Sequence, residues 1–290
     1  MEDFLLPRIY SADELMAQAI ALALREDQGD GDHSAMSCIP SDATGKARLL
    51  LKSQGILAGV EVAERVFHSV DKDLTIQNFM KDGEQMKHGD VALEASGSIH
   101  SILRAERVVL NYMQRMSAIA TLTAEYVALV KHTKAKILDT RKTTPGIRVF
   151  EKMAVGIGGG HNHRMGLYDM IMLKDNHIDY AGGVTQAIRS AKEYSKTMDR
   201  AIDIEVETRN MEEIDAVLHE GGVRRIMLDN FTPQKAAAAV AYIAGRVEVE
   251  ASGGIDKSNV ADYAEAGVDY ISIGALTHSV HNLDLSLKAV

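Results

Sequence analysis

At 290 residues the chain is long enough for one or two domains with a sizeable core, and 46% hydrophobic with 25% charged residues is an ordinary globular composition. With 32 Lys and Arg against 41 Asp and Glu, a formal net charge of -9, it lacks the broad basic face of a nucleic-acid coat. The single cysteine, Cys38, excludes an intrachain disulfide and favours a reducing compartment. No apolar run approaches the about 18 residues that a membrane helix needs. The opening MEDFLLPRIYSADEL has no charged-then-apolar leader pattern, so a cytoplasmic protein is expected.

In the N-terminal part, Val60 to Val70 predicts a helix, and Lys46 to Ser53 and Val91 to Leu103 predict strands. Asp82-Gly83, His88-Gly89-Asp90 and Gly97 read as turns. This pattern predicts an α+β domain, and Glu106 to Val130 predicts a long helix leading out of it. From about residue 137 a strand–helix rhythm begins. Its strand runs are Ile137-Leu138-Asp139, Met170 to Lys174, Ile202 to Glu207, Arg225 to Asp229, Val247 to Ser252 and Tyr270 to Gly274. Amphipathic stretches lie between them at Met211 to Leu218, Pro233 to Ala244 and Lys257 to Ala266. Alternation at this spacing predicts parallel βαβ units. The nearly equal steps from Asp229 to Ser252 to Gly274 favour a barrel over an open dinucleotide-binding sheet. The Gly-x-Gly-x-x-Gly turn of such a sheet is broken at His161.

Within the acidic chain, Asp139 to His177 gathers Arg141, Lys142, Arg148, Lys152, Arg164 and Lys174, with His161, His163 and His177 among them. A local cation cluster suits a pocket for several anionic groups of a small ligand, Arg holding carboxylates bidentately and Lys acting as a point charge. In a parallel barrel the loops after the strands form the active face. The residues there are Thr140-Arg141-Lys142, Lys174-Asp175-Asn176, Glu205-Val206-Glu207, Asp229-Asn230, Ser252-Gly253-Gly254 and Gly274-Ala275. Cations bind anions, acids hold hydroxyls or a metal, and glycines let phosphate reach backbone N–H groups. From composition alone Lys174 fits an ion pair, an anion contact or a Schiff base. His161-x-His163 is a weak metal signal, the 14 methionines read as core filling, and Cys38 has nothing activating beside it.

These strand ends and several ordered motifs resemble the quinolinate phosphoribosyltransferase family. The motifs include Glu26-Asp27-x-Gly29-x-Gly31-Asp32, Gln114-Arg115-Met116-Ser117, Leu138 to Gly146, Gly158-Gly159-Gly160-x-Asn162-His163-Arg164, Lys174-Asp175-Asn176-His177, Glu250 to Ile255 and Gly267 to Ser279. The resemblance covers nearly the whole chain. It implies an α/β protein, with an N-terminal α+β sandwich-like domain (1-115, joined by the segment 278-290) and an incomplete, seven-stranded β/α barrel (116-277). The implied reaction joins quinolinate and phosphoribosyl pyrophosphate (PRPP) into nicotinate mononucleotide, pyrophosphate and carbon dioxide, with Mg²⁺. It also implies a homodimer with shared active sites, further assembly being left open, and neither nucleic acid nor membrane as partner.

By the same resemblance, Arg107 reaches the neighbouring subunit's site, and Thr140, Arg141, His163, Arg164 and Lys174 surround quinolinate. Lys142 and Lys174 meet phosphate groups. Glu207 and Asp229 face the ribose hydroxyls and the metal, partly through substrate. Ser252, Gly253, Gly254, Ile273, Gly274 and Ala275 receive the 5′-phosphate. Lys142, Lys174, Glu207 and Asp229 are the expected catalytic groups. Arg148 and Lys152 read as helix-surface charges. Ser34 and His161 depart slightly from the family pattern, His161 being expected to face solvent. The rival readings are a molybdenum-operon relative with another acceptor, a Schiff-base aldolase using Lys174, and a non-catalytic metabolite-binding protein.

Overall fold

The structure is a computed structural model describing residues 9–290; the opening stretch 1–8, read above for a leader pattern, lies outside them. The chain divides into two compact units, one of residues 9–124, 143–159 and 276–290, the other of 125–142 and 160–275. The first unit begins with α1 (Ala12–Gln28). A capping box fixes its start: Ser11 Oγ accepts the Glu14 N–H at 3.2 Å, and the Glu14 carboxylate accepts the Ser11 N–H at 2.8 Å. Then follow α2 (His33–Cys38), β1 (Thr44–Leu51), β2 (Gly55–Ile56), α3 (Val60–Val70), β3 (Thr75–Asn78), β4 (Gln85–Met86), β5 (Val91–Ser98) and α4 (Ile99–Val130). The strand expected from Val91 to Leu103 ends at Ser98 because the Ser98 hydroxyl accepts the Ser101 N–H at 3.3 Å and turns the chain into α4.

The barrel unit contributes β6 (Lys136–Leu138), and α5 (Arg148–Ile157) then belongs to the first unit. The segment 143–159 had been expected in the barrel. Instead Phe150 stacks on Tyr112, ring centroids 4.4 Å apart, and the fully buried Glu151 takes Arg115 Nε at 3.0 Å and Nη2 at 2.8 Å. Next come β7 (Ile171–Leu173), α6 (Asp175–Ala181), α7 (Val184–Lys196), β8 (Ile204–Thr208), α8 (Met211–Glu220), β9 (Arg225–Asp229), α9 (Pro233–Ile243), β10 (Glu248–Ser252), α10 (Val260–Glu265) and β11 (Tyr270–Ser272). The chain closes with α11 (Ala275–His278) and β12 (Leu285–Ala289). In the first unit, β12-β1-β5-β3 form an antiparallel sheet. Along β1, buried Ala47, Leu49 and Leu51 alternate with less buried neighbours, the signature of a sheet with one packed face.

In the second unit six parallel strands lie in the order β6-β11-β10-β9-β8-β7. Seven had been expected. The position of the seventh is a single parallel bridge at His161, whose N–H donates to Ile137 O at 2.8 Å while its carbonyl accepts the Asp139 N–H at 3.1 Å. The glycine run before it, with Gly159 at φ +86°, supplies no side chains to extend a strand. The barrel is accordingly incomplete.

Two neighbouring glycines give a test of the packing around α5. A Cβ on Gly158 would lie 2.3 Å from the Ala120 carbonyl oxygen, whereas one on Gly156 meets nothing within 4 Å. We expect Gly158→Ala to destabilise by about 1–3 kcal/mol or more and Gly156→Ala to be neutral or stabilising by up to about 1 kcal/mol. Paired urea-unfolding curves check this; equal effects at the two positions would contradict the packing described.

Candidate active site

β8 is buried at every position, as strands covered on both faces are. Side chains alternate along a strand, so Glu205 and Glu207 share one face, as do Arg225, Met227 and Asp229 on β9 and Glu248, Glu250 and Ser252 on β10. Register then sets Arg225 between Glu205 and Glu248, and Asp229 beside Ser252. At the strand ends opens a cavity of about 750 Å³, whose lining includes Thr140, Arg141, Lys142, His163, Arg164, Lys174, Glu207, Asp229, Ser252, Gly253 and Gly254. The structure thus gathers most of the expected residues into one place. Of the rest, Ile273 is buried and, with Gly274 and Ala275, does not line the cavity, which Ser272 reaches instead. Arg107 is in the first unit on α4, lining a cleft of about 350 Å³ with Glu26 and Asp27. A larger groove of about 870 Å³ in that unit is lined mainly by residues of α1, such as Leu15, Ala19 and Leu22, and gathers no acid.

One wall of the barrel cavity is cationic. Thr140 Oγ1 accepts the Lys142 N–H at 3.0 Å and bends the chain after β6, so that Arg141 and Lys142 leave the strand end together. Arg164 donates through Nη1 to Met170 O at 3.1 Å. Its guanidinium holds its proton less firmly than usual, burial first and the charge of Arg141 second opposing it. On the next wall Lys174 Nζ lies 3.2 Å from Glu207 Oε2, with the lysine side chain 45% exposed and the glutamate 11%. Asp229 Oδ2 accepts from Asn230 Nδ2 at 2.7 Å. The third wall is a glycine turn: Gly253 has φ +96°, and a Cβ there would collide with Asn230 Oδ1 at 2.3 Å. Gly254 follows at φ +62°, where a Cβ would meet nothing within 4 Å. Only glycine fits the first position, and the second leaves backbone open to a ligand.

Beneath the cavity lies buried charge. His163 Nε2 is 3.1 Å from Glu205 Oε2 and 3.5 Å from Glu250 Oε2, and Arg225 Nη1 meets Glu250 Oε2 at 2.8 Å. His163 Nδ1 accepts the Arg164 N–H at 2.6 Å, so in this geometry the ring carries its proton on Nε2, toward the carboxylates. Nδ1 is thus engaged inside the protein, and Nε2 faces the two carboxylates at ion-pair distance. Burial pulls the His163 pKa down and Glu205 and Glu250 push it up toward about 9, but a second ring proton can bind only if Nδ1 gives up the Arg164 N–H. Burial, then the charge of Glu250, pushes Glu205 up to about 7. Glu250 moves the other way, burial raising it but His163 and Arg225 holding it below the ordinary carboxyl range.

Arg225 and Glu250 had no role in the sequence reading. The polar residues at period two inside apolar strand runs, Arg225 with Asp229 and Glu248-x-Glu250-x-Ser252, were the signal that could have found them. Lys152 is a correction: it is 2% exposed, not a surface charge, because α5 buries that side. Arg148 is half-buried, donating to Thr143 Oγ1 at 2.9 Å. His161 is exposed, its backbone making the strand bridge. Among the described residues the one group of three close metal-ligand types is His163, Glu205 and Glu250, not Glu207 with Asp229.

Cations, a pair of acids and a glycine turn around one cavity, at the strand ends of an incomplete parallel barrel, define an enzyme class that gathers multiply anionic small molecules around a sugar. The comparisons narrow the class. Residues 32–117 match the model of the quinolinate phosphoribosyl transferase N-terminal domain and residues 119–288 that of its C-terminal domain. The chain is 47% identical over 284 residues to the carboxylating nicotinate-nucleotide pyrophosphorylase, chloroplastic, of Arabidopsis thaliana, covering 93% of this chain and 81% of that protein. It is 40% identical over 262 residues to the probable carboxylating nicotinate-nucleotide pyrophosphorylase of Bacillus subtilis, covering 90% and 89%. The crystal structure of NadC from Streptococcus pyogenes superposes with a TM-score of 0.90 at 40% identity, over 98% of this chain and 99% of that one. The chain belongs to the quinolinate phosphoribosyltransferase family.

The buried charges predict a pH dependence. A group that binds its proton more tightly when folded makes stability fall as pH rises. Glu205 contributes this between its ordinary 4.5 and about 7. Glu250, shifted oppositely, acts only below 4.5. Unfolding free energy should therefore decline from about pH 5 to pH 7, and Glu205→Gln should flatten that decline. A rise over the same window would contradict the assignment.

Proposed function

We propose that this enzyme transfers the phosphoribosyl group of PRPP to quinolinate with decarboxylation, giving nicotinate mononucleotide, pyrophosphate and carbon dioxide in de novo NAD biosynthesis. The observation that carries the proposal is one cavity lined by two arginines, Arg141 and Arg164, together with Lys142 and Lys174; burial, and then the charge of Arg141, weakens the hold of Arg164 on its proton. An acceptor with two carboxylates relieves the repulsion of these like charges. The relatives carry the same activity in their names.

In this reading Arg141 and Arg164 take the carboxylates, with Thr140 beside them, while His163 acts from behind Arg164 because its Nδ1 holds the Arg164 N–H and its Nε2 faces Glu205. Lys142 meets the pyrophosphate, and Lys174 lies between the two substrates. Ser252, Gly253 and Gly254 receive the 5′-phosphate on open backbone. Ile273, Gly274 and Ala275 support that turn from the neighbouring strand end. The ring nitrogen forms a bond to the ribose carbon as that carbon loses pyrophosphate, and Glu207 and Asp229 stabilise the positive charge that develops. The bond to the carboxyl carbon beside the nitrogen then breaks. The electron pair left on the ring faces the cations and takes a proton from solvent.

Glu207 and Asp229 suit Mg²⁺ only as a partial set, since each already has a partner in Lys174 and Asn230. Such an ion takes its remaining ligands from substrate oxygens and water, and when bound it neutralises the leaving pyrophosphate. A homodimer is part of the proposal: exposed Arg107 on α4 is assigned to the cavity of a partner subunit. A cytoplasmic location suits the exposed thiol of Cys38, while plant relatives are named chloroplastic or mitochondrial; no helix among the described residues is long and apolar enough to cross a membrane. The Schiff-base alternative is disfavoured because Lys174 is half-exposed and ion-paired, lacking the apolar surroundings such a lysine requires.

Arg141→Ala should weaken quinolinate binding by about 2–5 kcal/mol and PRPP binding much less; equal losses in calorimetric titrations would overturn this division. Subunits carrying Arg107→Ala, mixed with subunits carrying Lys174→Ala, should recover activity in mixed dimers. Absence of recovery after verified subunit exchange would contradict the shared site.

A further inference from the structure

The barrel interior carries a buried chain of charge that the reaction above does not use. Arg225 sits over the Tyr270 ring at 3.9 Å and reaches Glu248 at 3.5 Å and Glu250 at 2.8 Å. Glu250 also accepts the Ser272 hydroxyl, and Glu205 lies 3.9 Å from Arg225. Both carboxylates converge on His163 Nε2. Across the imidazole, Nδ1 takes the Arg164 N–H at 2.6 Å, and the His163 N–H itself donates to Asp139 at 2.9 Å.

Glu205, Glu250 and His163 together resemble a metal-ligand set, their donor atoms lying within 4.8 Å of one another. Arg225 argues otherwise, because its N–H already points at the Glu250 oxygen that a cation would take. Buried ion pairs of this kind give little net stability over apolar packing. What they do give is orientation. The imidazole ring faces two carboxylates on one edge and is held on the other by the backbone N–H of the residue that presents its guanidinium to the cavity.

Resting on the functional reading above, we propose that Glu205 and Glu250 are positioning residues that act through His163 to set Arg164 against a carboxylate of the acceptor. They touch neither substrate. Their loss selectively loosens the acceptor subsite and leaves the phosphate and ribose subsites intact, since those rest on Lys142, Asp229 and the Ser252–Gly254 turn.

The test is a mutant cycle read by calorimetric titration of quinolinate and of PRPP separately. Glu205→Gln should raise the quinolinate Kd about tenfold or more and change the PRPP Kd by less than about twofold. His163→Ala should do the same, and the double variant should bind quinolinate no more weakly than His163→Ala alone. Glu205→Gln effects that are equal for both substrates, or that add fully to His163→Ala, would overturn the proposal. Should Glu205→Gln fail to fold, Arg225→Lys loosens the same frame, and unchanged quinolinate affinity there overturns it equally. Wild-type protein that binds no quinolinate would instead sink the functional reading itself.

Discussion

Two carboxylates with no access to water, Glu205 and Glu250, set the terms for the barrel interior. A lone buried carboxylate loses several kcal/mol of hydration, so each must meet positive charge inside the protein. Arg225 supplies it from the strand between them, and His163, in the segment after the single-residue bridge, turns its Nε2 edge toward both carboxylates. That requirement also fixes register. A slip of one residue along β8, β9 or β10 would turn a charge out of the barrel and leave its partner unpaired. Two residues further along the same strands stand Glu207, Met227 and Ser252.

The mouth is built under electrostatic tension. Arg141 and Arg164 are close enough for one to weaken the other's hold on its proton, and Lys142 and Lys174 lie at the same cavity. Such a wall has a higher energy when empty than when anions fill it, and a multiply anionic ligand gains by the difference. The acid side, Glu207 and Asp229, faces an uncharged sugar that becomes positive only as pyrophosphate leaves. Cations thus serve binding, and the acids serve the moment of bond breaking.

Much of this was legible in the sequence because strand ends announce themselves: apolar runs stop at Thr140, Lys174, Glu207, Asp229 and Ser252, and all five line the cavity. The helix over Val60–Val70 and the start of α9 at Pro233, behind the Thr232 cap, follow from local chemistry alone. What was not legible depends on distant partners. Ser98 stops β5 through one hydroxyl contact, Lys152 is buried because α5 packs into the first unit, and the seventh strand shrinks to His161 after a glycine run. Arg225 and Glu250 read as ordinary strand residues until the fold brings Arg225 Nη1 to Glu250 Oε2 and Glu250 to His163. The resemblance to a family carried His163 to the carboxylate subsite, while the structure turns its ring toward Glu205 instead.

Turnover with quinolinate labelled in the carboxyl carbon beside the ring nitrogen tests the central claim most directly. The account predicts labelled carbon dioxide that appears only when PRPP is present, in one-to-one proportion with pyrophosphate. Release of label without PRPP, or pyrophosphate without label, would contradict it.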